Sequence, residues 1–166
     1  MKKLQNYIRL VQFMGEDIQV RTLKYREVIN LHLVFQMNEI TPRLECIIEA
    51  NKILNNIPTE RYTSDYCTAL NRWMGPCVSF FIADMNTRRA VIRFPENSCL
   101  ISIQFLYRLG KLYTYASFRS MELSEFAEYD LALLQQICNR MQREIGVPLG
   151  SLYVQVGSAH IQVNDK

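Results

Sequence analysis

NSCLISIQFLYRLGKLYTYASFRSME, from Asn97 to Glu122, is two strand-like runs around a short polar break. In Cys99 to Phe105, alternate side chains face opposite sides of an extended chain. Arg108-Leu109-Gly110-Lys111 is a turn, and Leu112 to Phe118, rich in Tyr and Thr, is a second strand. Closed as a hairpin, the runs bring Arg119-Ser120 back towards Cys99. A guanidinium beside a thiol favours the thiolate, which is the nucleophilic form of cysteine. With Ser120 and Gln104 on the same two strands, Cys99 and Arg119 outline a small polar pocket.

The chain has 166 residues, enough for one domain with a sizeable core. Hydrophobic residues make up 49% and charged residues 21%, as in ordinary globular proteins, and the net charge of +3 gives no argument for nucleic acid. A small anionic ligand needs only a few local arginines. The basic start, MKKLQNYIRLVQFMGEDIQ, lacks the apolar core and cleavage site of a signal peptide, and no apolar stretch approaches the roughly 20 residues of a membrane span. The five cysteines, Cys46, Cys67, Cys77, Cys99 and Cys138, form no CxxC pair. Neither a disulfide framework nor a metal site is expected, and a reducing cytoplasm suits them. Apart from Cys99 they are expected to be packing residues.

Around the hairpin, the first 20 residues offer a short amphipathic opening and a turn at Gly15-Glu16-Asp17, and Glu27 to Gln36 is a strand. Thr41-Pro42-Arg43 starts a helix whose body, Leu44 to Leu54, has Leu44, Ile47, Ile48 and Leu54 in helical rhythm. Residues 57–74 are expected to be loop followed by a short helix ending near Trp73, a ring that packs in the core or walls a site. Cys77 to Ala83 has the look of a buried strand. Ser124 to Ile145 is the clearest helix, capped by Ser124, stopped at Gly146, with Phe126, Leu133, Leu134, Ile137, Met141 and Ile145 as its buried stripe. Asp130 falls on that stripe, where an unpaired acid is costly, so a partner or a ligand is expected there. Leu152 to Val163 alternates as a final strand. Strands and helices together make an α/β (α+β) chain, one domain over residues 1–166.

The hairpin resembles the active-site core of the thymidylate synthase and pyrimidine (deoxycytidylate) hydroxymethylase family. There the catalytic cysteine is followed five residues later by Gln-Phe, and an Arg-Ser pair comes fifteen after the Gln. Cys99, Gln104-Phe105 and Arg119-Ser120 keep those intervals. Asp84-Met-Asn-Thr-Arg88-Arg89-Ala-Val-Ile92 resembles the family's Asp-Pro-x-Ser-Arg-Arg-x-Val-Ile segment. Gly157-Ser-Ala-His160-Ile-Gln-Val-Asn164 resembles its Gly-Asp-x-His-x-Tyr-x-Asn signature, with Gln162 in place of the Tyr. Arg21 and the Arg26-Glu27-Val-Ile-Asn30 run resemble the opening of phage-type members. Glu49-Ala-Asn-Lys-Ile-Leu54 looks like the Glu-Ala-Leu-Trp-Ile-Leu helix, departing at Asn51 and Lys52, and Glu45 is the other candidate for its glutamate.

This resemblance implies a thymidylate synthase-like fold, a mixed sheet packed by helices, in a shortened member without the tail that closes over the folate. It implies transfer of a one-carbon unit to carbon 5 of a pyrimidine nucleoside monophosphate, with 5,10-methylenetetrahydrofolate as donor and Cys99 as the covalent nucleophile. Glu49 would manage protons, and Gln104 and Asp130 would frame the base. Arg21, Arg119 and Ser120, with Arg88 and Arg89 from the other subunit of a homodimer, would hold phosphate, and His160 the sugar. An aspartate at the position of Asp130 is the hydroxymethylase form, so CMP or dCMP and a hydroxymethyl product are expected. Thymidylate synthesis from dUMP and a non-catalytic nucleotide-binding relative are the alternatives.

Overall fold

The computed structural model describes residues 1–163. Its element order is α1 (Lys2–Met14), β1 (Glu16–Val20), β2 (Leu23–Gln36), α2 (Leu44–Leu54), α3 (Ser64–Ala83), β3 (Val91–Arg93), β4 (Leu100–Arg108), β5 (Lys111–Glu122), α4 (Ala127–Ile145) and β6 (Leu149–Gln162). The strands form one six-stranded sheet in the order β1-β2-β6-β5-β4-β3. Every neighbouring pair is antiparallel except β5 and β6, which run parallel because α4 carries the chain back between them. The expected mixed sheet packed by helices is the architecture of this chain.

The central hairpin forms as the sequence predicts. Leu109 (φ 50°) and Gly110 (φ 76°) make its two-residue turn, both in the left-handed region that matches strand twist, and Leu109 sits there 92% exposed. Strand alternation then divides the sheet. Leu112, Thr114, Ala116 and Phe118 of β5 point to a buried face, with Leu31, Leu33 and Phe35 of β2 and Leu152, Val154 and Val156 of β6. The helices collect there: Cys138 of α4 donates its thiol hydrogen to Thr114, and Tyr7 of α1 meets the Phe35 ring edge-on. The other face is bare. His32, Val34, Ser102, Gln104, Tyr115, Ser117, Tyr153 and Gln155 share it, with Tyr115 and Tyr153 stacked at 4.8 Å.

Several expectations are corrected. Gly15 caps α1, and Glu16 and Asp17 are the first residues of β1 rather than a turn. β1 is an edge strand exposed on both sides, so it carries no alternation to read. The strand expected at Glu27 begins at Leu23, because β1 gives its first residues a partner. In α2 the buried side is Cys46, Ala50 and Ile53, while Leu44 is 71% and Ile48 47% exposed. The small Cys46 lies where α2 approaches α4, beside Glu128 and Tyr129.

Cys77 to Ala83 is the last third of a 20-residue helix, not a strand. Its buried residues Leu70, Met74, Cys77 and Phe81 recur at helical spacing, and Pro76 inside the helix lies on the exposed side. Trp73 packs against the core on this helix. The last helix starts at Ala127 rather than Ser124. The Glu122 carboxylate accepts from the Ser124 hydroxyl and the Ser124 and Glu125 amides, so those residues form a turn. Phe126 is consequently 40% exposed, while Leu133, Leu134, Ile137 and Met141 form the buried stripe as expected. Gly146 closes the helix at φ 70°. No helix among the described residues is long and apolar enough to cross a membrane.

Candidate functional site

Running side by side, β5 and β6 bring Ser120 level with Ser158 and Glu122 level with His160 at their carboxyl ends. Their close approach here depends on Gly157: a Cβ at that position would lie 2.7 Å from the Arg119 carbonyl oxygen. On the other side of β5, the Arg119 amide bonds the Cys99 carbonyl at 2.7 Å and brings the start of β4 to the same place. Cys99 Sγ lies 3.6 Å from Ser120 Oγ. Cys99 is the exposed thiol, while Cys46, Cys67, Cys77 and Cys138 are buried.

Cys99, Ser120, Asp130 and His160 line one cavity of about 440 Å³. Four of the residues singled out from the sequence, from β5, α4, β6 and the loop that enters β4, therefore meet. Asp130 projects into it from the first turns of α4 and accepts a 2.8 Å hydrogen bond from the Tyr62 hydroxyl. Burial pushes the Asp130 carboxyl up to about 6, against the opposing effects of the Tyr62 hydrogen bond and the Arg61 charge. His160 meets Tyr25 edge-to-face at 5.2 Å.

Other predicted site residues lie elsewhere. Arg119 falls on the opposite side of β5 from Ser120, and its guanidinium reaches the carbonyls of Glu96 (3.3 Å) and Asn97 (3.5 Å). It fastens the loop before Cys99 and is not among the residues lining the cavity. Gln104 is on the bare face, about 17 Å along β4 from Cys99, and donates to the Arg88 carbonyl at 3.0 Å. Arg88 and Arg89 border a separate hollow beyond the end of α3. Arg21 forms the β1–β2 turn at φ 58°, two residues before Leu23, which does line the cavity.

Glu49 is also outside the cavity. It faces the α2–α4 contact, and its Oε2 is buried with no hydrogen-bond partner. Glu45, the alternative, accepts from Tyr129 at 3.4 Å and pairs with Arg43 at 3.0 Å. Asn164, the last residue of the His160 run, lies outside the described residues.

The sequence reading missed the aromatic wall. Tyr62 and Tyr66 come from the stretch expected to be loop followed by a short helix, and Phe126 from the assumed buried stripe. The rings of Tyr62 and Tyr66 are 5.1 Å apart, and Tyr66 continues to Phe94 at 5.2 Å. Burial and the Asp130 charge raise the Tyr66 phenol to about 12 and push Tyr62 up as well, so both stay neutral hydrogen-bond donors. Arg61 lies over Phe126 at 3.9 Å and Tyr129 at 4.3 Å. The two tyrosines four apart in the 61–66 run, Arg-Tyr-Thr-Ser-Asp-Tyr, were the available signal.

Compared with known proteins, the chain matches no family model, and no curated protein matches it.

Proposed function

We propose that the chain binds a pyrimidine nucleoside monophosphate, CMP or dCMP, and that Cys99 adds to ring carbon 6 as the first step of carbon-5 hydroxymethyl transfer. The observation that carries this reading is the meeting of an exposed thiol, a neighbouring hydroxyl and a carboxylate in one aromatic-walled cavity. About 440 Å³ is near the lower end of the range for one small ligand. Methylenetetrahydrofolate, the donor that the resemblance implies, would supply the one-carbon unit after this step, and none of the cavity residues is assigned to it.

The first step uses only residues of the cavity. The thiol loses its proton to water at the mouth, and the Ser120 hydroxyl, 3.6 Å away, can donate to the thiolate. Sulfur bonds to carbon 6 and the electron pair of the 5,6 double bond moves to carbon 5. Carbon 5 then takes a proton from water. Reversal with loss of the original hydrogen restores the base and the thiolate, and carbon 5 now carries a solvent hydrogen. The Asp130 carboxylate accepts from the 4-amino group of cytosine and holds the ring in register.

A homodimer belongs to the same proposal. The bare sheet face around the Tyr115–Tyr153 stack is the surface assigned to it in this proposal, and the resemblance implies that Arg88 and Arg89 serve a partner's phosphate. A cytoplasmic location is proposed from the free cysteines.

Release of tritium from 5-tritiated dCMP without folate, abolished in Cys99→Ser, is the expected result. Binding of dCMP without exchange would favour the non-catalytic binder, a reading supported by Glu49 lying away from the cavity. Exchange on dUMP in preference to dCMP would favour thymidylate synthesis. Absence of both binding and exchange with both nucleotides would overturn the proposal.

A further inference from the structure

Arg61 and Asp130 line the same cavity with opposite charges, yet they do not pair. Among the described residues Arg61 has no carboxylate within ion-pair distance. Its guanidinium is held instead over the rings of Phe126 and Tyr129. Ring faces satisfy the charge but accept none of its directed hydrogen bonds, so its N–H groups keep their donor capacity. Phe126 and Asp130 are four residues apart and lie on the same side of the chain entering α4. The guanidinium, over both Phe126 and Tyr129, lies near enough for its charge to act on the Asp130 carboxyl. Tyr62, next to Arg61 in sequence, takes Asp130 Oδ1, and Oδ2 keeps its capacity to accept. The cavity thus presents a held acceptor, Asp130, and a held donor, Arg61, that are not joined to each other.

We propose that Arg61 is a specificity-determining residue that reads the base with Asp130, donating to ring N3 while the carboxylate accepts from the 4-amino group. The inference rests on the pyrimidine-nucleotide reading above. Cytosine offers the matching pair, an amino donor next to a ring acceptor. Uracil offers the inverse, a carbonyl acceptor next to an N–H donor. Holding the ligand's phosphate is the less suitable task for Arg61. It sits at the Asp130 end of the cavity, and the carboxylates of Glu122 and Glu125 line the same space.

The test is calorimetric titration of wild type, Arg61→Ala and Arg61→Lys with CMP, 3-deaza-CMP and UMP. The 3-deaza compound keeps the amino group and replaces N3 with C–H. Wild type is expected to bind CMP about 10- to 100-fold more tightly than 3-deaza-CMP, the range for one hydrogen bond to a charged donor. Arg61→Ala is expected to lose that difference, with CMP falling to the level of 3-deaza-CMP. Arg61→Lys, which keeps the charge without the planar fork, is expected to lose most of it and serves if the alanine variant does not fold. Full discrimination in either variant, or an equal loss for both ligands, would overturn the role of Arg61 and leave nucleotide binding standing. A wild type that binds none of the three would remove the nucleotide reading itself, and this inference with it.

Discussion

The Tyr62 hydroxyl donates a 2.8 Å hydrogen bond to Asp130 Oδ1 across 68 positions of chain, tying the segment before α3 to the start of α4. The bond supplies the partner that an acid on the apolar stripe requires, and it leaves the second carboxylate oxygen for a ligand.

The bond does not cancel the cost of burial. A carboxyl raised from 3.8 to about 6 binds protons more tightly folded than unfolded. Its contribution to stability is most favourable below the unfolded value and falls as pH rises from about 4 through about 6. A shift of that size corresponds to a penalty of up to about 3 kcal/mol at neutral pH. Asp130→Asn, which keeps an acceptor for Tyr62, should therefore be more stable than wild type at pH 7.5, with the gap closing towards pH 4. Urea denaturation at the two pH values measures this, and equal stabilities at pH 7.5 would refute it.

Base choice should follow the same titration. At pH 7.5 the ionised acid accepts from cytosine and faces uracil with two acceptors together. A mismatched buried hydrogen bond costs about 1–3 kcal/mol, so dCMP should bind roughly 5- to 150-fold more tightly than dUMP. Near pH 5 the protonated acid can donate to uracil, and the preference should narrow. Asp130→Asn should flatten or reverse it at every pH. Unchanged discrimination in the variant would end the cytosine assignment.

Alkylation should single out Cys99. Burial closes off the other four thiols and raises Cys77 to about 11 and Cys138 to about 12. Iodoacetamide at neutral pH is expected to label Cys99 in the native protein and the remainder only after unfolding. Saturating dCMP should slow the native reaction. Labelling that is indifferent to nucleotide would argue that the ligand sits elsewhere.

Gly157→Ala should be destabilising by roughly 1–3 kcal/mol, the usual cost of overpacking. Its Cβ would meet the Arg119 carbonyl at 2.7 Å, and backbone on both sides leaves nothing flexible to yield. Because Ser120 follows Arg119, the change should also weaken dCMP binding. A thermal midpoint equal to wild type would contradict the close approach.

The bare sheet face should carry the dimer. Tyr153→Asp places a charge against the Tyr115 ring and should give a monomer by sedimentation at micromolar concentration. If the sites are shared, mixing Cys99→Ala with an Arg88→Ala/Arg89→Ala double variant should restore part of the activity. A wild type that is monomeric throughout would exclude this arrangement.

Short-range chemistry was enough to identify the hairpin, the last helix and its Gly146 stop, and the final strand. Alternation, turn residues and caps act over a few positions, and the β4–β5 register follows from the two-residue turn. The same local reasoning brought Cys99 and Ser120 together, because they close one hairpin. It failed where a local pattern had two solutions. The run from Cys77 to Ala83 reads as strand or helix until the preceding turns of α3 extend the period, and β1 shows no pattern because water covers both its faces. It also failed on side-chain direction. Arg119 is adjacent to Ser120 in sequence, but successive residues of a strand face opposite ways, and its guanidinium went to the Glu96 and Asn97 carbonyls. Only the tertiary structure could decide that Tyr62 completes Asp130, that Arg61 lies over Phe126, and that Glu49 faces α4 rather than the cavity. Those relations depend on how helices settle on one face of the sheet, and packing between distant segments leaves no periodic trace in the chain.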